Sequence, residues 1–118
     1  MEKLNVWIHC RVLAESSRNL LNYQEQILID EARENDMRVI GVTKEIYHGK
    51  NLDTYGFREI ISHIKRGKID VILVYSEKRI SIYEDVVEEF TLLYEQYNVR
   101  IVSLKDLKTN FLFGTIEL

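Results

Sequence analysis

Four short segments of the chain are mostly apolar and have the length of β-strands. One of them, Val71–Val74, carries four apolar residues without alternation, which is typical of a strand covered on both faces in a parallel sheet. The other three are Leu4–Leu13, Arg38–Thr43 and Arg100–Leu104. The pattern therefore predicts four strands.

The segments between these strands carry apolar residues at helical spacing. The clearest stripe, at i, i+3, i+4 and i+7, predicts a buried helix face made of Phe57, Ile60, Ile61 and Ile64. Asp53 or Thr54 is suited to cap this helix, and Gly67 suits the position just past its end. A second helix is predicted over Gln24–Asn35, with a buried face of Leu21, Leu28 and Ala32.

A third helix is predicted to begin near the acidic pair Glu84 and Asp85. Its spacing turns four residues toward the core: Val86, Phe90, Leu93 and Tyr97. The resulting order, βαβαβαβ, predicts an α/β fold of three layers, with a mainly parallel four-stranded sheet between helices. The tail 105–118 has no clear pattern, and Phe111 and Phe113 are expected to pack against the rest of the chain.

Composition narrows the class of protein without identifying it. The chain of 118 residues is 46% hydrophobic and 30% charged, and no apolar segment approaches the roughly 18 residues that span a bilayer. Its single cysteine, Cys10, cannot form an internal disulfide, and the first residues do not lead into a signal peptide. We therefore expect a cytoplasmic protein that does not bind membranes. A net charge of −3 argues against a free-standing nucleic-acid binder but leaves room for a local basic site.

The spacing of chemically active residues disfavours several kinds of site. The five glycines form no phosphate-binding loop, and the first and third strands lack the acidic ends of a phosphoacceptor domain. His9, His48 and His63 lie far apart without metal-ligand spacing, so we expect no metal and no cofactor. We expect His63 on the exposed side of its helix, and we interpret Cys10 as a small core residue.

Two arginines are the candidates for a binding site. Arg11 lies inside an apolar strand, where a charge is costly unless it meets an anion or a carboxylate, and Arg79 follows the run Val71–Val74. The carboxyl ends of adjacent parallel strands meet at one crevice, and guanidinium groups suit phosphate. A structural interpretation remains open, in which Arg11 pairs internally with Glu45 or Glu77.

Five short segments carry a resemblance to a known family. They are Arg-Val-Leu-Ala at 11–14, Gln24 at 13 residues after Arg11, Glu45 with His48-Gly49, Gly-Lys-Ile-Asp-Val-Ile-Leu-Val at 67–74, and Lys-Arg-Ile-Ser-Ile at 78–82. In this order and spacing they resemble the catalytic domain of the serine recombinases, the resolvase/invertase family, over nearly the whole chain. The resemblance implies one resolvase-like domain over residues 1–118, with no separate DNA-binding domain in this chain.

The resemblance also implies a chemistry that this sequence has partly lost. In the family, a serine two residues after the first arginine attacks a DNA phosphodiester and becomes linked to a 5′ phosphate. Leu13 stands at that position and has no nucleophilic atom. Ser16 and Ser17 are the fallback nucleophiles, although serine is common in polar loops for turn-forming reasons alone.

The groups that stabilise phosphoryl charge in the family are depleted as well. Thr54 and Ile82 stand where the family has arginines, and Lys78 replaces an acidic residue. Arg11 and Arg79 are the phosphate-handling residues that remain. The resemblance implies a site lined by Gln24, Glu45, Thr54, Lys78 and Ile82.

These residues lead to three hypotheses. The first is a recombinase-like domain without strand cleavage, which acts as a binding or regulatory partner. It would bind an intact recombinase or a second copy of itself, and it would bind DNA weakly and with strong salt dependence. The second is an active DNA recombinase domain that uses Ser16 or Ser17. The third is a remnant of a mobile element without a selected activity.

Overall fold

The structure, a computed structural model, describes residues 3–48 and 50–112, the last four by their backbone alone. Two 3₁₀ turns accompany the regular elements, the first at Glu15–Ser17 and the second at Glu77–Arg79. In chain order the strands and helices are β1 (Asn5–Val12), α1 (Asn19–Glu34), β2 (Arg38–Ile46), α2 (Tyr55–Lys65), β3 (Val71–Val74), α3 (Glu84–Glu95), β4 (Arg100–Ser103) and α4 (Leu104–Leu112).

The four strands form one parallel sheet in the order β2-β1-β3-β4. Residues of α1 and α4 join the apolar cluster on one face of the sheet, and residues of α2 and α3 join the cluster on the other. This arrangement confirms the predicted α/β fold with helices on both faces. It also places β1, which carries Arg11, in the interior of the sheet beside β3.

Successive side chains of β1 enter the two clusters alternately. Ile8 and Cys10 pack in the cluster of α1 and α4, whereas Trp7 packs in the cluster of α2 and α3. Burial raises the pKa of the Cys10 thiol to about 12, with a smaller contribution from Glu25. Cys10 is therefore a core residue that stays protonated at neutral pH, as the sequence predicted.

The two ends of α2 match the sequence prediction. Thr54 is the N-cap, and its side-chain oxygen accepts a hydrogen bond from the Phe57 N–H at 3.3 Å. Gly67 follows the helix with a φ of 70°, and its N–H donates to the Ile64 carbonyl at 2.8 Å. A side chain at that left-handed position would be strained, so glycine ends the helix here.

The buried face of α2 differs from the prediction at one position. Phe57, Ile60 and Ile64 are buried, but Ile61 is half-buried. Gly56 is also buried against Glu45, so the buried arc is centred near Ile60 and leaves Ile61 at its edge.

Four other expectations about helices and strands were wrong. α1 begins at Asn19 rather than Gln24, directly after the first 3₁₀ turn, and β2 extends to Ile46 because it pairs with β1 as far as Val12. Tyr97 is exposed because α3 ends at Glu95, and Tyr94 occupies the core in its place.

The fourth wrong expectation was an exposed His63. This residue is half-buried, with its ring 4.6 Å from that of Trp7.

The tail that the sequence left open begins as α4, and the predicted packing of Phe111 and Phe113 lies outside the described side chains. Among the described residues, no helix combines the length and the apolar character needed to cross a membrane.

Candidate functional site

The carboxyl ends of β1 and β3 bring the two predicted arginines together. Arg11 is the next-to-last residue of β1, and Arg79 ends the second 3₁₀ turn, which follows β3. Arg79 Nη1 lies 3.4 Å from the Arg11 carbonyl oxygen. The predicted convergence of these two residues is therefore present, but each side chain contacts a main-chain carbonyl of the other residue.

The guanidinium of Arg11 is committed to the interior of the protein. Its Nε donates to the Arg79 carbonyl at 2.9 Å, its Nη1 to the Tyr47 carbonyl at 2.6 Å and its Nη2 to the Lys78 carbonyl at 2.5 Å. The residue is 1% exposed. Arg11 thus ties β1 to the segment after β2 and to the second 3₁₀ turn.

This bonding replaces the carboxylate partner that the sequence suggested. Within the described ranges, Arg11 forms no ion pair within 4.0 Å, so direct pairing with Glu45 or Glu77 was wrong. Burial lowers the pKa of Arg11, and the nearby charge of Arg79 lowers it further, while Glu45 raises it. The partners are main-chain carbonyls of neighbouring loops, which no side-chain pattern reveals.

Gln24 holds the main chain of Arg11 from the side. β1 pairs with β3 as far as His9 opposite Val74, so the peptide of Arg11 has no β3 residue opposite it. Gln24 supplies both missing partners: its Oε1 accepts from the Arg11 N–H at 3.2 Å, and its Nε2 donates to the Arg11 carbonyl at 3.1 Å. This buried amide therefore positions the end of β1, a role consistent with its predicted place in the site lining.

Glu45 is opposite Arg11 on β2, but its carboxylate turns toward α2. Glu45 Oε1 accepts a short hydrogen bond from the Gly56 N–H in the first turn of α2, where the helix dipole favours a negative charge. A Cβ at Gly56 would collide with this carboxylate, so a larger residue there would displace the Glu45 side chain. Glu45 is used to anchor α2 to the sheet.

The other positions of the predicted site are Leu13, Thr54, Lys78 and Ile82. Leu13 and Ile82 are each 53% exposed, so two hydrocarbon side chains face outward at this end of the sheet. The Thr54 hydroxyl is occupied as a helix cap, and Lys78 contributes its carbonyl to Arg11 while its side chain is exposed. Ile80 lies between Lys78 and Ile82 in the chain, is fully buried, and anchors this segment in the core.

The two fallback nucleophiles lie in the first 3₁₀ turn. Ser16 is exposed and Ser17 is half-buried, and the turn is closed by the Ser17 N–H donating to the Ala14 carbonyl at 2.9 Å. Glu15 and Arg18 form an ion pair across this turn. In the part of the chain that the structure describes, neither hydroxyl is hydrogen bonded to a side chain able to act as a base.

A buried polar group stands behind Arg11 on the same face of β1. The His9 ring Nδ1 lies 2.7 Å from Thr43 Oγ1, which also accepts from Trp7 Nε1 at 3.2 Å. His9 is fully buried, its Nε2 has no partner among the described residues, and its ring lies 4.8 Å from that of Phe57. Burial, and secondarily the charge of Arg11, lowers the pKa of His9 to about 3.

This histidine should make the fold sensitive to mild acid. The folded protein keeps His9 neutral, whereas the unfolded chain binds a proton below its ordinary pKa of 6.5. Stability is therefore lost as pH falls from about 6.5 toward 3, and His9 should account for about 2 kcal/mol of loss between pH 7 and pH 5. Urea unfolding at the two pH values should show that loss in the wild type and not in His9→Gln. An equal pH slope in the two proteins would contradict this assignment.

The described residues contain no group of three or more His, Cys, Asp or Glu side chains that could hold a metal ion.

Two parts of this region, the Tyr47 carbonyl and Thr43, were not indicated by any sequence pattern. A carbonyl is common to every residue, and the register that sets Thr43 opposite His9 emerges only from the strand pairing.

The fold resembles solved recombinase domains. The C-terminal catalytic domain of ISC1926 TnpA, an IS607-like serine recombinase, matches with a TM-score of 0.79 and 22% identity, covering 94% of this chain and 77% of that one. The N-terminal catalytic domain of TP901-1 integrase matches with a TM-score of 0.77 and 19% identity over 86% and 77%. A resolvase family site-specific recombinase from Streptococcus pneumoniae matches with a TM-score of 0.74 and 21% identity over 88% and 74%.

At these low identities the structural matches show a shared fold alone, and the family is shown by the sequence. The model of the family described as "Resolvase, N terminal domain" matches residues 6–116. That span contains β1 from its second residue onward, the other three strands in full, and all the site positions described above. The chain therefore belongs to the resolvase N-terminal domain family.

Proposed function

We propose that this domain has lost DNA strand cleavage and acts as a binding or regulatory partner. The observation that carries the proposal is Leu13, a side chain that is 53% exposed and consists only of hydrocarbon. The family reaction needs a hydroxyl oxygen here to attack phosphorus as the 3′ oxygen leaves. A leucine has no lone pair with which to form that bond.

The surrounding charges support the same conclusion. Oxyanion and phosphoryl transition states are stabilised by donors that are free to meet the developing charge. Three donors of Arg11 already meet carbonyl oxygens at 2.5–2.9 Å, and Thr54 and Ile82 bring no positive charge. Arg79 is half-buried and remains the arginine best placed for an anion.

A binding role is consistent with what the chain retains. The described residues form the parallel sheet, both apolar clusters and the three hydrogen bonds of the Arg11 guanidinium, so the domain has a folded core. A subunit with this shape and without a nucleophile can occupy a place in an assembly without cutting DNA. An intact recombinase or a second copy of this chain is the partner that this role calls for.

A covalent-intermediate assay tests the loss of cleavage. The protein is incubated with a pool of nicked half-site suicide duplexes and then analysed on a denaturing gel. We expect no DNA band shifted by the mass of the protein, because no covalent phosphate ester can form at Leu13. A family member with serine at this position, on its own site in the same buffer, is the positive control.

The alternative nucleophiles give the assay its opposing outcome. A shifted band that disappears in Ser16→Ala or Ser17→Ala would identify a displaced nucleophile and restore the enzyme hypothesis. Leu13→Ala is the matched variant, since it changes the proposed dead position and should leave any such band unchanged.

A further inference from the structure

The outer face of α3 and the segment before it form two neighbouring shallow grooves. Their volumes are about 490 Å³ and about 390 Å³, and both are lined by Glu88 and Leu92. Ile82 is 53% and Leu92 55% exposed, and half-buried Val87 and Leu93 extend the apolar floor. Two large exposed aliphatic side chains along one groove are a candidate docking surface.

The rims of these grooves are strongly acidic. Four exposed carboxylates of α3 line them: Glu84, Asp85, Glu88 and Glu89. α3 contains no Lys, Arg or His, and the ion pairs of the described residues include none of these four carboxylates. Lys78, in the second 3₁₀ turn, is the one basic side chain in the described lining of the two grooves.

Helix stability explains only part of this charge. Glu84 and Asp85 lie in the first turn of α3, where carboxylates favour the positive end of the helix dipole. Glu88 and Glu89 lie beyond that turn, and each stands four residues after another carboxylate, a spacing at which like charges on a helix repel. Leu92, one turn further along, is 55% exposed although it is aliphatic.

We propose that this face of α3 docks a basic amphipathic helix of a partner protein. Aliphatic side chains on the partner would cover Ile82 and Leu92, while its Lys or Arg residues would meet Glu88 and Glu89. The 12 residues of α3 span about 18 Å, so about three turns of partner helix match the surface. The inference deepens the proposed function, on which its biological meaning rests.

A peptide titration without DNA tests the surface, so its result is independent of the cleavage assay. The probe is a fluorescein-labelled helical peptide of 14 residues with Leu on one face and Lys on the other. We expect saturable binding that weakens about tenfold in Leu92→Ser and in Glu88→Lys. Two α1 variants that change exposed residues in the same way, Leu20→Ser and Glu34→Lys, should bind as the wild type does.

Two control peptides and a map of the contact complete the experiment. A Leu/Glu peptide should not bind, and a scrambled Leu/Lys peptide of equal composition should bind at least about tenfold more weakly. Backbone amide shifts in the wild type should change mainly within residues 82–96. The proposal is overturned by absence of binding, by equal binding of the scrambled peptide, by equal effects of the α1 variants, or by amide shifts centred elsewhere.

Discussion

Replacing Arg11 by alanine is expected to lower the free energy of unfolding by about 3–5 kcal/mol. The guanidinium is 1% exposed and bonds three carbonyls, so its removal leaves a cavity and takes away the donors of all three. An arginine that served mainly to bind phosphate would face solvent, and its loss would change stability by less than about 0.5 kcal/mol. The size of the effect therefore separates a structural from a phosphate-binding role.

Urea unfolding at pH 7 measures this difference. Arg33→Ala is the matched control, because Arg33 is exposed in the last turn of α1. Arg11→Lys should fall between the wild type and Arg11→Ala, since one ammonium group cannot reproduce the fork of donors. A loss below about 1 kcal/mol in Arg11→Ala would show that the three hydrogen bonds of this guanidinium contribute little to the stability of the fold.

Ile60→Ala is expected to cost about 2–5 kcal/mol of unfolding free energy. Ile60 is fully buried between α2 and the sheet, in the cluster that contains Phe57 and Phe90. The neighbouring residue Ile61 is only half-buried, so Ile61→Ala should cost clearly less. The two variants remove the same atoms from adjacent positions of one helix.

Chemical denaturation of both variants provides the comparison. The order of the two losses tests the facing of α2, and the size of the larger one tests how tightly this layer packs. Equal losses would mean that α2 is rotated relative to the sheet, with Ile61 as deep as Ile60.

The pattern of apolar residues was sufficient for the architecture. The uninterrupted run Val71–Val74 is buried along its whole length, and the α2 stripe places Phe57, Ile60 and Ile64 in the core. These signals are local, because burial on one or two faces imposes a period on the sequence itself. Element ends were less predictable. α3 stops at Glu95 although Tyr97 continues its apolar spacing, because Asn98 adopts a left-handed conformation with a φ of 60°.

The site was predictable in its location and not in its bonding. Parallel strands brought Arg11 and Arg79 to one end of the sheet, as the strand order required. The partners of Arg11 are carbonyls of residues 36, 67 and 68 positions away in the chain. Because every residue has a carbonyl, only the path of the loops decides which ones meet the guanidinium. Gln24 was placed in the site by resemblance, and its role on the Arg11 peptide follows from the early end of β3.

Three main-chain carbonyls close this end of the sheet around the Arg11 guanidinium, so we expect no anion to reach it. The most direct measurement is nuclear magnetic resonance of the arginine Nε–H groups during a titration with inorganic phosphate. We expect the Arg11 Nε–H, which donates to the Arg79 carbonyl at 2.9 Å, to exchange slowly with water and to keep its shift. Exposed Arg33 should exchange rapidly and serves as the reference. Rapid exchange of the Arg11 Nε–H, with a saturable shift on addition of phosphate, would show that Arg11 is open to anions.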